Sequence, residues 1–342
     1  MNSITDTLKA SVISYCSTIG KDPLLVQGAG GNVSWKEGDT LWIKASGTWL
    51  AEAAEKDIFV PVDLPHLRAA IEREDFSVTP RVRGESALRP SIETLLHALI
   101  PHRVVVHLHA IEILAHLVRN NCQTDFQSLL DAAVSWVLVA YKKPGAELAE
   151  AVCLALNSMK NANVVFLQNH GVVFGGDSIE EIDKLLKSMT EALYTSPRSF
   201  GESIPPSDPL SIDGKVLYYP VTDQAVHQLA MDVDLFSHLK FDWALYPDHV
   251  VFLGAQPYTY SDMNTLINAL RDDKEMPELI FVQNLGVFTV SDFSLAKQVQ
   301  LRCYYDVMVR QHKENMTKCL TSLQIGELLN WDAEQYRMGV AK

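Results

Sequence analysis

The sequence has no stretch approaching the ~18–20 consecutive apolar residues that a membrane-crossing helix needs. Met1 to Ser14 has neither a basic start nor a continuous apolar run, so no secretory leader is expected. Cysteine is scarce. Its five residues (Cys16, Cys122, Cys153, Cys303 and Cys319) are odd in number, far apart and free of any C-x-x-C pair. That pattern excludes a disulfide framework or a cysteine metal site and fits reduced thiols in a cytoplasmic protein. Positive charge is also short: 29 Lys and Arg stand against 42 Asp and Glu, a formal net charge of −13. Such a surface repels nucleic-acid backbones and anionic lipid, while a small anionic substrate at one local site remains compatible with it. Glycine (17) and proline (15) are too few for a fibrous or disordered chain. With 47% apolar residues in 342, the chain is globular and long enough for two domains.

Prolines cluster at one place, Ser196 to Pro209, with Pro197, Pro205, Pro206 and Pro209. A stretch of this kind continues neither a helix nor a central strand. It divides the chain into an expected catalytic domain (1–200), a linker (201–209) and a second domain (210–342). In the first, Leu8, Val12, Cys16 and Ile19 recur at helical spacing. Leu41–Lys44, Arg103–His109 and Val164–Leu167 read as strands. Ser91–Ile100, Ile111–Arg119 and Glu147–Met159 read as helices, and Phe126–Tyr141 as mixed. Interleaving of this sort predicts an α/β layered domain. A faint repeat crosses the linker: Val165-Phe166-Leu167-Gln168-Asn169-His170-Gly171-Val172 aligns with Ile280-Phe281-Val282-Gln283-Asn284-Leu285-Gly286-Val287. A looser echo sets His249-Val250-Val251-Phe252-Leu253 against His102–Val106. A duplicated domain whose second copy has lost its polar site residues is the bolder reading, and chance similarity the bland one. In that copy Leu285 stands at the place of His170, with Phe252 and Gly254 at the place of the paired histidines.

His107-Leu108-His109 lies in an apolar run of strong β character, so both imidazoles share one face and can meet a single cation. His170 ends another strand, and Gly171 after it would permit a tight turn. Three neutral imidazoles with one open position form the ligand set of a catalytic rather than a structural zinc. Glu93, in the first turns of a helix after Pro90, is the candidate acid or base. That role calls for a pKa raised by burial. Gly28-Ala29-Gly30-Gly31-Asn32-Val33-Ser34 is no dinucleotide fingerprint, because position 33 is valine and strands follow, and no G-K-[ST] makes it a P-loop. It reads instead as a glycine-rich turn suited to an oxyanion, with Ser46-Gly47-Thr48 as a second. His97, four residues after Glu93, reads as helix surface or core edge.

Taken together, Gly30–Ser34, Ala45-Ser46-Gly47-Thr48, Arg89-Pro90-Ser91-Ile92-Glu93, His107-Leu108-His109 and Gln168–Gly171 resemble, in order and spacing, the class II aldolase/adducin family. Pro90–His97 is most similar to the aldolase part of bifunctional rhamnulose-phosphate aldolase/dehydrogenases, without their dehydrogenase part. The resemblance implies αβα layers around a mainly antiparallel sheet, and the repeat across the linker adds the expectation of a degenerate second copy of that fold. It also implies a homo-oligomer, a tetramer before a dimer. It places His107, His109 and His170 on zinc or another divalent metal and Glu93 as the acid/base. Gly31, Asn32, Ser46, Gly47 and Ser91 fall at substrate- and phosphate-binding positions. Ile92 departs from the paired serines that many members carry. The implied activity is zinc-dependent aldol cleavage or formation in a sugar or sugar phosphate, through an enediolate. A sugar-phosphate 4-epimerase or dehydratase uses the same triad, and an adducin-like interaction protein is the non-catalytic alternative.

Overall fold

The computed structural model describes residues 3–201, 205–212, 214–272, 276–312 and 315–340. Residues 202–204 of the expected linker lie outside them. The first half runs α1 (Ser3–Ile19), β1 (Asn32–Glu37), β2 (Thr40–Lys44), β3 (Phe59–Asp63), α2 (Leu64–Glu72), α3 (Thr94–Leu99) and β4 (Val104–Leu108). It continues through α4 (Ile111–Leu117), α5 (Cys122–Leu129), β5 (Trp136–Val139), α6 (Ala146–Ser158), β6 (Val164–Leu167), β7 (Gly171–Gly176) and α7 (Ile179–Ala192).

Alternating side chains explain the layers. Val104, Val106 and Leu108 of β4 face α1, α4 and α7 in one core. Val105, on the opposite face, joins α6 in another, and the outer strands β2 and β3 bury theirs against α2 and α3. The seven strands are ordered β3-β2-β1-β4-β7-β6-β5, and only the β5–β6 pair is parallel. This is the αβα arrangement with a mainly antiparallel sheet.

The second half runs β8 (Leu210–Ile212), β9 (Lys215–Pro220), α8 (Gln228–Met231), α9 (Val233–His238), α10 (Pro247–Leu253), β10 (Thr259–Tyr260) and α11 (Met263–Asp272). It ends with β11 (Leu279–Val282), β12 (Gly286–Thr289), α12 (Leu295–Met308), α13 (Ser322–Leu329) and α14 (Asp332–Val340). Its sheet is ordered β10-β11-β12-β9-β8. Strand for strand this repeats β5-β6-β7-β4-β1, with the same senses: one parallel pair, then three antiparallel ones. In both halves a helix joins the parallel strands and another follows the hairpin. Even the turn repeats. Asn169 and Asn284 both have positive φ, 54° and 59°, and their amides reach the C-terminal ends of preceding helices at Leu117 and Ala230.

The looser echo fails. His249–Leu253 lies in α10, with Pro247 at its first turn, a position that proline favours. The partner of β12 is β9, with Phe288 opposite Pro220, as Val173 is opposite His107. Register therefore sets Pro220 and Thr222, not Phe252 and Gly254, at the places of His107 and His109. Leu285 does stand at the place of His170.

The halves share a core. Ile111 and Leu114 of α4, with Val118 just after it, pack with Leu245, Val250, Tyr304 and Val307 of the second half. Arg310 bonds Glu112 through Nε (3.0 Å) and Nη2 (2.8 Å) across the seam.

Candidate active site

The chain from Arg89 to Glu93 builds one wall. Pro90 bridges Ala45, the Ser46 N–H donates to the Arg89 carbonyl, and the Ser91 N–H donates to the Lys44 carbonyl. Extended pairing of this kind sets Ser91 beside Ser46 and Gly47. The chain then turns: Ser91 Oγ accepts from the Glu93 N–H at 3.2 Å, and the helix begins only at Thr94. Glu93 is thus the residue preceding α3, not a member of its first turns, and Ser91 and Ile92 are outside the helix.

Register delivers the other walls. Asn32 opens β1 opposite His107, and its amide donates to Glu93 Oε2 at 2.7 Å. His109 lies one residue beyond the end of β4, so the paired histidines straddle a strand end. His170 sits in the β6–β7 turn. The left-handed residue there is Asn169; Gly171 is required for space. A Cβ at 171 would lie 2.5 Å from the Leu108 carbonyl, 2.8 Å from His109 and 3.0 Å from His107. Gly31 lies over the same strand, its missing Cβ 3.0 Å from the His107 carbonyl oxygen.

These elements bring His107, His109 and His170 into one buried cluster whose candidate ligand atoms all lie within 4.8 Å of one another. Nε2 of His107 and His109 face each other at 3.2 Å. Glu93 caps the group, Oε2 lying 3.6 Å from His107 Nε2 and Oε1 3.5 Å from His170 Nε2. His107 Nδ1 donates to the Val172 carbonyl at 3.1 Å, which leaves its Nε2 as a lone pair. Burial pushes His107 down to about 4 and His170 to about 3, so both are neutral near pH 7. The Glu93 carboxyl does not rise toward neutrality. Burial acts in that direction, but His107, His170 and His97, which are charged at the low pH where Glu93 would titrate, draw it below the ordinary carboxylate value. His97 is no surface residue: it is fully buried, with Nδ1 2.8 Å from Ser34 Oγ.

Gly31, Asn32, Ser46, Gly47, Ser91, Glu93, His109 and His170 all line one pocket. Its other walls were not legible as site residues. Lys44, buried with Nζ 3.1 Å from the Ala29 carbonyl, has its pKa lowered to about 7 by burial, with Arg337 adding to the effect. Its signal was a lysine closing an apolar strand just before Ala45-Ser46-Gly47. Pro247, Asp248, Glu334 and Arg337 come from the second half, and nothing near them in sequence marks them. Arg337 grips Asp248 at 2.5 and 2.8 Å. Burial opposes ionisation of Asp248, yet Arg337 and His109 hold it well below the usual carboxylate range. With α14 as one wall, the pocket has a volume of about 30 Å³.

Among the described residues no helix is long and apolar enough to cross a membrane. The chain is 29% identical over 178 residues to an uncharacterized oxidoreductase, YuxG, of Bacillus subtilis. That match covers 47% of this chain and 25% of that protein, so this chain spans about a quarter of its relative. Among solved structures, the N-terminal class II aldolase domain of a Thermoplasma acidophilum protein is 26% identical (TM-score 0.46; 56% of this chain, 93% of that one). A sugar-phosphate aldolase from Thermotoga maritima is 16% identical (TM-score 0.43; 56% and 93%). Residues 10–195, more than half of the chain, match the family model described as the class II aldolase and adducin N-terminal domain, and the chain belongs to that family.

Proposed function

We propose that His107, His109 and His170 hold one divalent cation, zinc foremost, and that the protein is a metal-dependent aldolase acting on a sugar or sugar phosphate. The observation that carries this reading is the convergence of three buried imidazoles beneath a buried carboxylate. The donor set fits a cation. The Nε2 atoms of His107 and His109 lie 3.2 Å apart, close enough to share one cation when both present lone pairs, and Glu93 Oε1 is buried without a hydrogen-bond partner among the described residues. When bound, the cation supplies Lewis-acid polarisation of a substrate carbonyl and hydroxyl.

The chain's own groups do the rest. Asn32 ties down Glu93 Oε2, which leaves Oε1 to take or return the proton at the carbon beside the carbonyl. Ser46, Gly47 and Ser91, with Lys44 behind them, form the hydroxyl-lined cationic end that orients a phosphate or similar anion. Retention of this whole constellation favours catalysis over a purely adhesive role. The second half, by contrast, is inferred to be a degenerate copy. Pro220, Thr222 and Leu285 cannot ligate zinc, so metal analysis should give about one ion per chain, and two would overturn the inference.

The test is metal-dependent turnover over a panel of free and phosphorylated ketoses with aldehyde trapping. Cleavage to an aldehyde plus a two- or three-carbon fragment is expected. Glu93→Gln should keep its metal and lose about 10²-fold or more in turnover. Epimerised or dehydrated product without aldehyde would remove the lyase reading and leave the metal centre standing. Full activity in the Gln variant would remove Glu93 from the chemistry.

A further inference from the structure

Asp248 opens α10 in the second half and is buried. Its Oδ2 lies 3.4 Å from His109 Nδ1 and receives Gln300 Nε2 at 3.3 Å. Both its oxygens are held by Arg337. The approach is close enough to dictate a neighbour. A Cβ at Gly30 would stand 3.3 Å from Asp248 Oδ2 and 3.3 Å from His109 Nδ1. Any side chain there would press on both partners.

The three imidazoles differ on their far sides. His107 is fixed by the Val172 carbonyl of its own sheet. His170 Nδ1 has no hydrogen-bond partner among the described residues. His109 Nδ1 instead faces a carboxylate from the other half of the chain, at 3.4 Å. We propose that Asp248 is a positioning residue for the metal centre. It accepts the Nδ1 proton of His109, holds the ring in the tautomer that presents Nε2 inward, and makes that nitrogen a stronger donor. Arg337 and Gln300 aim the carboxylate and offset its charge. The site is then incomplete without the second half, which supplies an orienting group in place of ligands. This inference rests on the metal reading above.

The discriminating experiment measures zinc and cobalt affinity of the full chain by chelator competition, in the parent, Asp248→Asn and Arg337→Gln. Asp248→Asn should weaken metal binding by about 10–100-fold. Arg337→Gln leaves the carboxylate in place with less to neutralise it, so affinity should hold or tighten even if thermal stability falls. Were Asp248 only a fastener between α10 and α14, both variants would lose stability and neither would lose metal; equal affinities in all three overturn the proposal. A parent that binds neither metal would instead overturn the triad itself. Should Asp248→Asn fail to fold, ring ¹⁵N–¹H spectra of the zinc-loaded parent give the answer. The Nδ1 proton of His109 should be present, protected and shifted to low field by the carboxylate, and its absence would refute the tautomer assignment.

Discussion

His249 is as buried as the site histidines but faces no carboxylate among the described residues. Trp243, Tyr246 and Tyr304 surround it, with ring centroids 4.3, 5.4 and 4.5 Å away, and Nε2 has no hydrogen-bond partner among the described residues. Burial lowers its pKa from 6.5 to about 3. The unfolded chain binds a proton there that the folded chain refuses, so this residue erodes stability as pH falls from 6.5 toward 3 and costs nothing at pH 7. His249→Phe should flatten the dependence of Tm on pH in that window by roughly one proton's worth. It loses about 1 kcal/mol at neutral pH, because the Leu245 N–H gives up its acceptor. An unchanged slope would show that His249 is already charged in the fold. The same scale explains what the sequence could reveal. His107, His109, His170 and Glu93 carry their meaning in residue type and short spacing. Asp248 and Arg337 act by long-range proximity, and a Pro-Asp pair or an arginine near a chain end has no local pattern to announce that.

At the scale of elements, β2, β4 and β6 are readable as short apolar runs, while β3 and the boundaries near the site are not. Ser91 to Ile100 has helical periodicity, yet pairing of Arg89–Ser91 with the β2 end and the Ser91 hydroxyl hold the first residues out of α3. The run His249–Leu253 echoes the strand segment His102–Val106 through Val250, Val251 and Phe252, but Pro247 starts a helix there and tertiary packing overrides their β propensity. The C-terminal helix was the larger omission. Val340 of α14 lies on Gly47, where an added Cβ would sit 2.6 Å from the Val340 Cβ and where φ is +80°. Arg89 stacks on Tyr336 at 4.3 Å. The pocket that α14 helps to wall is narrow, about 30 Å³, so displacement of α14 is what would widen it. Gly47→Ala should dislodge α14. Trypsin cleavage after Arg337 would then proceed several-fold faster than in the parent. Equal cleavage rates would show that the Gly47 contact does not seat the helix.

On the scale of the whole molecule, the seam between halves is a continuous apolar core crossed by buried polar bonds. Asn169, next to His170, donates to the carbonyls of Leu245 (2.8 Å) and Lys318 (2.5 Å). The turn bearing a candidate ligand is therefore bolted to the second half, and unfolding of either half should expose the other. Zinc at 100 times its Kd would add about 2.7 kcal/mol of apparent stability. Calorimetry should show one transition that moves up with zinc and down with chelator. Two transitions, only one of them responding to zinc, would mean the halves melt independently. The paired hairpins hold one more lesson. Asn284 bends its backbone as Asn169 does, and Gly286 still leaves room, here for Pro206 and His227, although leucine has replaced histidine between them. What Gln-Asn-x-Gly spells is a bend. A genome search keyed to that tetrapeptide would collect hairpins as readily as enzymes, and only the letter at x tells an empty bend from one that carries a ligand.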